Sequence, residues 1–117
     1  MSGVGPPNVQ LPNVYNAYVD DRKVRDYLLN PGHPQNNGKA NFFQSFGFSQ
    51  QHWLILRDAL HFHPVTNPVA KISPNQYGTR YTVRCSLLSP DGRNPCITTI
   101  WVINALTTAP ELVTAYP

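Results

Sequence analysis

The hydrophobic spacing of this chain changes period near Pro64, and that change limits what it can fold into. Upstream, apolar residues recur three and four positions apart, as with Val24, Tyr27 and Leu28 in "DDRKVRDYLLNP" and Trp53, Leu56 and Leu60 in "SQQHWLILRDALHFH". Downstream they alternate. "YGTRYTVRCSLL" places Tyr77, Thr79, Tyr81, Val83, Cys85 and Leu87 on one side of a strand and Arg80, Thr82, Arg84 and Ser86 on the other. A repeat of about 3.6 residues makes a helix with one buried stripe, and a repeat of two makes a half-buried strand. Helices first and strands second predict an α+β domain, with the helices on one face of an antiparallel meander.

The first helix is expected over residues 21–29, with Asp20 and Asp21 at its start and Pro31 as its stop. A second is expected over 38–46, with Asn37 as N-cap and Gly47 just past its end. Ser49 would cap a third over 50–62; Ile55, Ala59 and Phe62 give it a second apolar line, so it is expected to be the central helix. Strands are expected over 66–72, 77–88, 96–104 and 110–115, with Pro68 weakening the first. Residues 1–10, rich in Gly, Pro and Asn, read as a flexible leader and 11–117 as one domain. With 117 residues, 41% of them hydrophobic, there is enough for one modest core and no second domain.

Several function classes lack their signatures. No apolar run is long enough to span a bilayer and "MSGVGPPNVQLPN" lacks the regions of a signal peptide, so cytoplasmic action without a membrane partner is expected. There is no Gly-rich phosphate loop, no G-x-S-x-G and no H-E-x-x-H. His61 and His63 form an H-x-H, with His33 and His52 elsewhere, but no Cys or carboxylate stands at a customary zinc spacing, so no metal and no cofactor are expected, and Asp58 three residues before His61 suggests a helix-surface pair. A four-residue "SPDG" hairpin loop would set Cys85 opposite Cys96 and permit a cross-strand disulfide; two free thiols are the alternative, and a three-residue loop would separate them. The net charge of +3 is a mild bias toward polyanions.

The residue most in need of explanation is Lys39, which a helical wheel places among Phe42, Phe43 and Phe46. A cation on an apolar face escapes to water, finds a partner or serves chemistry. His33 lies six residues upstream on a proline-bounded loop leading to the same helix N-terminus, where unpaired N–H groups favour an anion. A phosphate beside His33 and Lys39 is the functional reading; a lysine that snorkels to the surface is the bland one. Arg80, Thr82 and Arg84 form a positive stripe that either grips a phosphodiester or is solvated on an uncovered sheet face, and Tyr77 is a candidate for base stacking.

The strings "LPNVYNAYVDDRKVRDYLLNPGHPQNNGKANFFQSFGFS", "YGTRYTV", "SPDGR", "TIWVI" and "LVTAYP" resemble a family of small bacterial domains of unknown function. Its pattern runs L-P-N, R-D-Y-x-L-N-P-x-H-P, G-x-x-K-A-x-x-F, Y-G-x-x-Y, P-x-G-R and W-I, and the likeness covers residues 11–117. The chain departs from it at "NNGKA", where Gly directly precedes Lys, and at "TTIW", where many members carry an Arg. Members stand alone, often beside small antitoxin-like proteins, or form the C-terminal part of secreted polymorphic toxins. The resemblance thus implies a toxin-like role in the cytoplasm, or delivered into a target-cell cytoplasm, with a small antitoxin or immunity protein as partner. The layout is also similar to that of barnase-type metal-independent ribonucleases. The resulting expectation is an endoribonuclease acting on RNA, with His33 as general base or acid, Lys39 and Arg80 stabilising the phosphorane, and Arg84, Thr82 and Tyr77 contacting substrate. A non-catalytic module that binds a protein partner is the rival.

Overall fold

The computed structural model describes residues 9–117, so most of the expected leader lies outside the described residues. Val9 is already tied to the fold, its carbonyl accepting the N–H of Val69 at 2.7 Å. A short 3₁₀ turn at Val14–Asn16 precedes a π-helix at Lys23–Leu28, followed by α1 (Lys39–Ser45) and α2 (Trp53–Thr66). The sheet comprises β1 (Val69–Asn75), β2 (Gly78–Ser86), β3 (Cys96–Asn104) and β4 (Glu111–Tyr116), antiparallel and in sequential order. The architecture is α+β, with the N-terminal helices packed on one face of the four-stranded sheet.

The core joins the two halves. Val24 and Leu28 of the π-helix, Phe43 of α1, and Leu56 and Leu60 of α2 pack with Val83, Trp101 and Leu112 of the sheet, all buried. Each such side chain contributes about 1.5–3 kcal/mol by leaving water. A polar thread runs through this core. Trp101 Nε1–H donates to Thr99 Oγ1 at 2.8 Å, the Thr99 hydroxyl lies 2.9 Å from His63 Nδ1, and His63 Nε2 lies 2.7 Å from the Cys85 carbonyl. These partners fix the tautomer. His63 donates from Nε2 and accepts at Nδ1.

The third helix runs past its expected end at 62 to Thr66, with Pro64 inside it. That proline forfeits one hydrogen bond near the last turn, and Asn67 closes the helix by donating its side-chain N–H to the carbonyls of His63 and Ser86. The first strand accordingly starts at Val69, and it accommodates Pro74 because β1 is an edge strand. The second apolar line of α2 is not covered: Ile55 and Phe62 are 50% and 44% exposed.

The "SPDG" register is not realised. Ser86 pairs with Cys96 and Cys85 with Ile97, and the Leu87 N–H donates to Pro95, leaving a longer loop stapled by Ser89, Asp91 and Asn94. Cys85 and Cys96 are nevertheless joined in a disulfide, their Cα atoms 4.0 Å apart. At the other end of β2, Gly78 has φ 150°, and a Cβ there would run into the carbonyl oxygen of Ile103 across the ladder.

Candidate functional site: a cationic cleft at the β4 edge

The site begins with the π-helix. Its i→i+5 bonding, seen in the Leu29 N–H to Val24 carbonyl contact of 3.0 Å, presents Lys23 and Tyr27 toward β4. Lys23 Nζ donates to the Val113 carbonyl at 2.8 Å, and the Tyr27 hydroxyl lies 3.2 Å from Thr114 Oγ1. Val113 falls where the β3–β4 register shifts, so a bulge helps to turn its carbonyl toward the lysine.

Asn36 then fixes the loop that follows. It is buried, and its side-chain amide donates to the carbonyls of Tyr27 (2.6 Å) and Leu28 (3.3 Å). Its Oδ1 accepts the Ala40 N–H at 2.9 Å, and its backbone carbonyl accepts the Lys39 N–H at 3.1 Å. Gly38, not Asn37, holds the N-cap position of α1, and the side chain that satisfies a first-turn N–H is that of Asn36. The expectation of open N–H groups at this helix start is corrected for Lys39 and Ala40, because Asn36 occupies both.

Lys39 is not held among the phenylalanines. It is the first residue of α1, and helical side chains lean toward the N-terminus, so its ammonium reaches back to the Asn36 carbonyl at 3.4 Å and lies 5.7 Å from the centre of the Tyr27 ring. Phe43 is buried, while Phe42 and Phe46 meet at a tilt, ring centroids 5.1 Å apart, and pack against the core. The Tyr27 ring also meets His33 edge-on. His33 Nδ1 accepts the N–H of Gln35 at 3.1 Å, which puts the proton of the neutral ring on Nε2.

These residues line one cleft of about 570 Å³: Lys23, Tyr27, His33, Gln35 and Lys39 on one wall, Val113, Thr114 and Tyr116 on the other. The structure thus brings His33 and Lys39 together with a second ammonium, that of Lys23. Sequence reasoning had no role for Lys23, Gln35, Thr114 or Tyr116, and counted Tyr27 among the buried face. The only signals for them were Lys23 and Tyr27 four apart on one helix and the terminal "LVTAYP" string.

The other candidates stand outside this cleft. Arg80, Thr82 and Arg84 lie on the sheet face away from the helices, Arg80 and Arg84 exposed. Register connects two of them to it: Arg84 pairs with Thr98 and Thr98 with Tyr116, while Thr82 pairs with Ile100 and Ile100 with Thr114. Two ladder steps put Arg84 about 10 Å from Tyr116. Arg80 is one row further off, in line with Val102 and Glu111, so the expected grouping of Arg80 with His33 and Lys39 is not formed. Tyr77 is 74% exposed in the β1–β2 turn, about 20 Å along β2 from Arg84.

A second hollow of about 420 Å³, between α2 and the 3₁₀ turn, is mainly apolar, with Val14, Ala17, Phe62 and Val65 around His61. Burial lowers the His61 pKa, and Asp58 pairs with Arg57 at 3.4 Å rather than with this imidazole. Among the described residues, no three His, Cys, Asp or Glu side chains cluster as a metal site would need. No helix among them is long and apolar enough to cross a membrane.

No curated protein matches the sequence. Among solved structures, the fold is similar to a chain of a contact-dependent growth inhibition toxin–immunity protein complex from Klebsiella pneumoniae 342, at 16% identity and a TM-score of 0.69, covering 89% of this chain and 95% of that one. At that identity the likeness is one of fold. A family model described as a domain of unknown function matches residues 10–117, and the chain belongs to that family, DUF6883.

Proposed function

We propose that this is a toxin-type domain that cleaves RNA phosphodiesters without a metal, working in the cleft at the β4 edge. The observation that carries the reading is the convergence of two ammonium groups and an imidazole, Lys23, Lys39 and His33, on one hollow. Phosphoryl transfer needs positive groups fixed where charge develops on the phosphorus oxygens. In the proposed step water takes the proton of a 2′-hydroxyl as its oxygen attacks the neighbouring phosphorus, the bond to the 5′-oxygen breaks, and that oxygen leaves as a hydroxyl with a proton from the His33 imidazolium. Lys39 and Lys23 stabilise the phosphorane.

His33 has two conceivable roles, and its hydrogen bonding favours one. With Nδ1 accepting the Gln35 N–H, the neutral ring carries its proton on Nε2 and suits donation of a hydrogen bond to a phosphate oxygen; protonating the leaving oxygen takes the imidazolium, in which Nδ1 gives up the Gln35 contact. Service as a base would first require the other tautomer. Arg84 and Arg80 lie too far off to touch the reacting phosphate and suit flanking ones instead. The fold shared with a chain of a toxin–immunity complex supports a toxin role, delivery into a target cell and an immunity protein as partner.

Expression in bacteria of the wild type, His33→Ala and Lys39→Ala tests this. Growth arrest with fragmented total RNA is expected only for the wild type. Equal growth and intact RNA in all three would overturn it. Growth arrest with intact RNA would favour the module that acts by binding a protein.

A further inference from the structure

The charges of this protein are segregated. All five aspartates pair with arginine: Asp20 with Arg22, Asp26 with Arg25, Asp21 and Asp58 with Arg57, and Asp91 with Arg93. Of the nine Lys and Arg residues, the remaining five, Lys23, Lys39, Lys71, Arg80 and Arg84, have no ion pair among the described residues. These five are not scattered. Lys23 and Lys39 line the cleft, and the other three stand on the sheet face away from the described helices, Lys71 being directly opposite Thr82, between Arg80 and Arg84.

We infer that cleft and outer sheet face form one track for an extended single-stranded polynucleotide, which enters over β1 and β2 and delivers a phosphate to the cleft at β4. The inference rests on the reading of the cleft as a phosphodiester site and extends it from one phosphate to a chain. The cross-strand rows supply the path. Lys71, Thr82, Ile100 and Thr114 form one row and Arg84, Thr98 and Tyr116 the next, and both end on cleft-lining residues. Between the cations Thr82 is half-buried and Thr98 and Ile100 are buried, so none of the three stands up in the way of a backbone. Tyr116, 39% exposed at the rim, offers a ring for stacking. Glu111, whose carboxylate has no ion pair among the described residues, lies at the β4 end of the Arg80 row and bounds the track on that side. A cationic surface that follows the backbone, with an aromatic side chain beside it, suits a single strand.

Counterion release makes this measurable. Single-strand affinity falls with salt at a slope of about −0.7 per neutralised phosphate, so engagement of all five cations gives about −3.5, and of the two cleft lysines alone about −1.4. The probe is a fluorescent 2′-deoxyoligouridylate of about 12 nucleotides, which cannot be cleaved by 2′-oxygen attack, titrated by anisotropy over a range of KCl. The expected result is the steeper slope, reduced by about 0.7 in each of Lys71→Gln, Arg80→Gln and Arg84→Gln and unchanged in Arg57→Gln. Circular dichroism of each variant shows that it is folded. A slope near −1.4 that these substitutions leave alone would confine binding to the cleft and overturn the track. Tighter binding of a duplex of the same length, or binding of polyglutamate but no oligonucleotide, would overturn it too. Because the probe is not a substrate, failure of RNA cleavage leaves this result standing, and a shallow slope leaves cleavage standing.

Discussion

The imidazole of His33 stands edge-on to the ring of Tyr27, centroids 5.0 Å apart and planes at 66°. Lys39 Nζ lies 5.7 Å from the centre of that same ring, and the Tyr27 hydroxyl is 3.2 Å from Thr114 Oγ1 of β4. One aromatic side chain thereby ties the two candidate catalytic groups to the sheet edge.

Tyr27→Phe keeps the ring and loses the hydroxyl contact, at an expected cost of about 0.5–1.5 kcal/mol in unfolding free energy with the proposed RNA cleavage largely kept. Tyr27→Ala removes the surface against which His33 rests, and cleavage should fall at least about tenfold, the equivalent of roughly 1.4 kcal/mol in the barrier. NMR of the His33 ring protons reads the cause directly, because they lose the ring-current shift in Tyr27→Ala and retain it in Tyr27→Phe. Equal activity in both variants would show that Tyr27 does not position His33.

Asn36 joins the end of the π-helix to the start of α1 through three side-chain hydrogen bonds. Asn36→Ala strands buried carbonyls and the Ala40 N–H, and urea denaturation should show a loss of about 2–3 kcal/mol. Asn37→Ala makes the contrast: Asn37 is exposed with φ 54°, so its replacement should cost about 1 kcal/mol from backbone conformation alone.

Burial lowers the pKa of His63 and of His61 from the ordinary 6.5. The unfolded chain therefore takes up protons first as the medium is acidified. Stability is full above 6.5 and is lost as pH falls from there through the depressed folded values. The urea midpoint should drop between about pH 7.5 and about pH 5, and His63→Gln should be less stable at the upper pH but show a shallower drop. A midpoint that rises on acidification would refute this assignment.

The disulfide closes a loop with a sequence separation of 11. Chain-entropy arguments give a bridge of that span about 2–3 kcal/mol. Cys85→Ser with Cys96→Ser should lose about that much in denaturation without reductant, and adding reductant to the wild type should produce a similar loss.

Much of the fold was legible from local rules. Period fixed the order of helices and strands, Cys96–Asn104 falls where the β-branched run begins and ends, and Pro31 and Gly47 mark real helix ends. Pro64 misled because a proline late in a helix costs one bond, and the side chain of Asn67 secures the helix end from outside the element. The hairpin register misled because Ser89, Asp91 and Asn94 stabilise a longer loop through side-chain bonds that turn propensity does not express.

The candidate site divides the same way. Sequence alone singled out His33 and Lys39 and held them within about 20 Å, the reach of six extended residues. Only the tertiary structure decided what faces them. Lys23 and Tyr27 come from the preceding helix and Thr114 and Tyr116 from the last strand, about ninety positions away, and Arg80 and Arg84 were turned onto the outer face. The reason is that the apolar alternation of β2 commits Tyr81 and Val83 to the helices, which forces the intervening arginines outward whatever chemistry they serve.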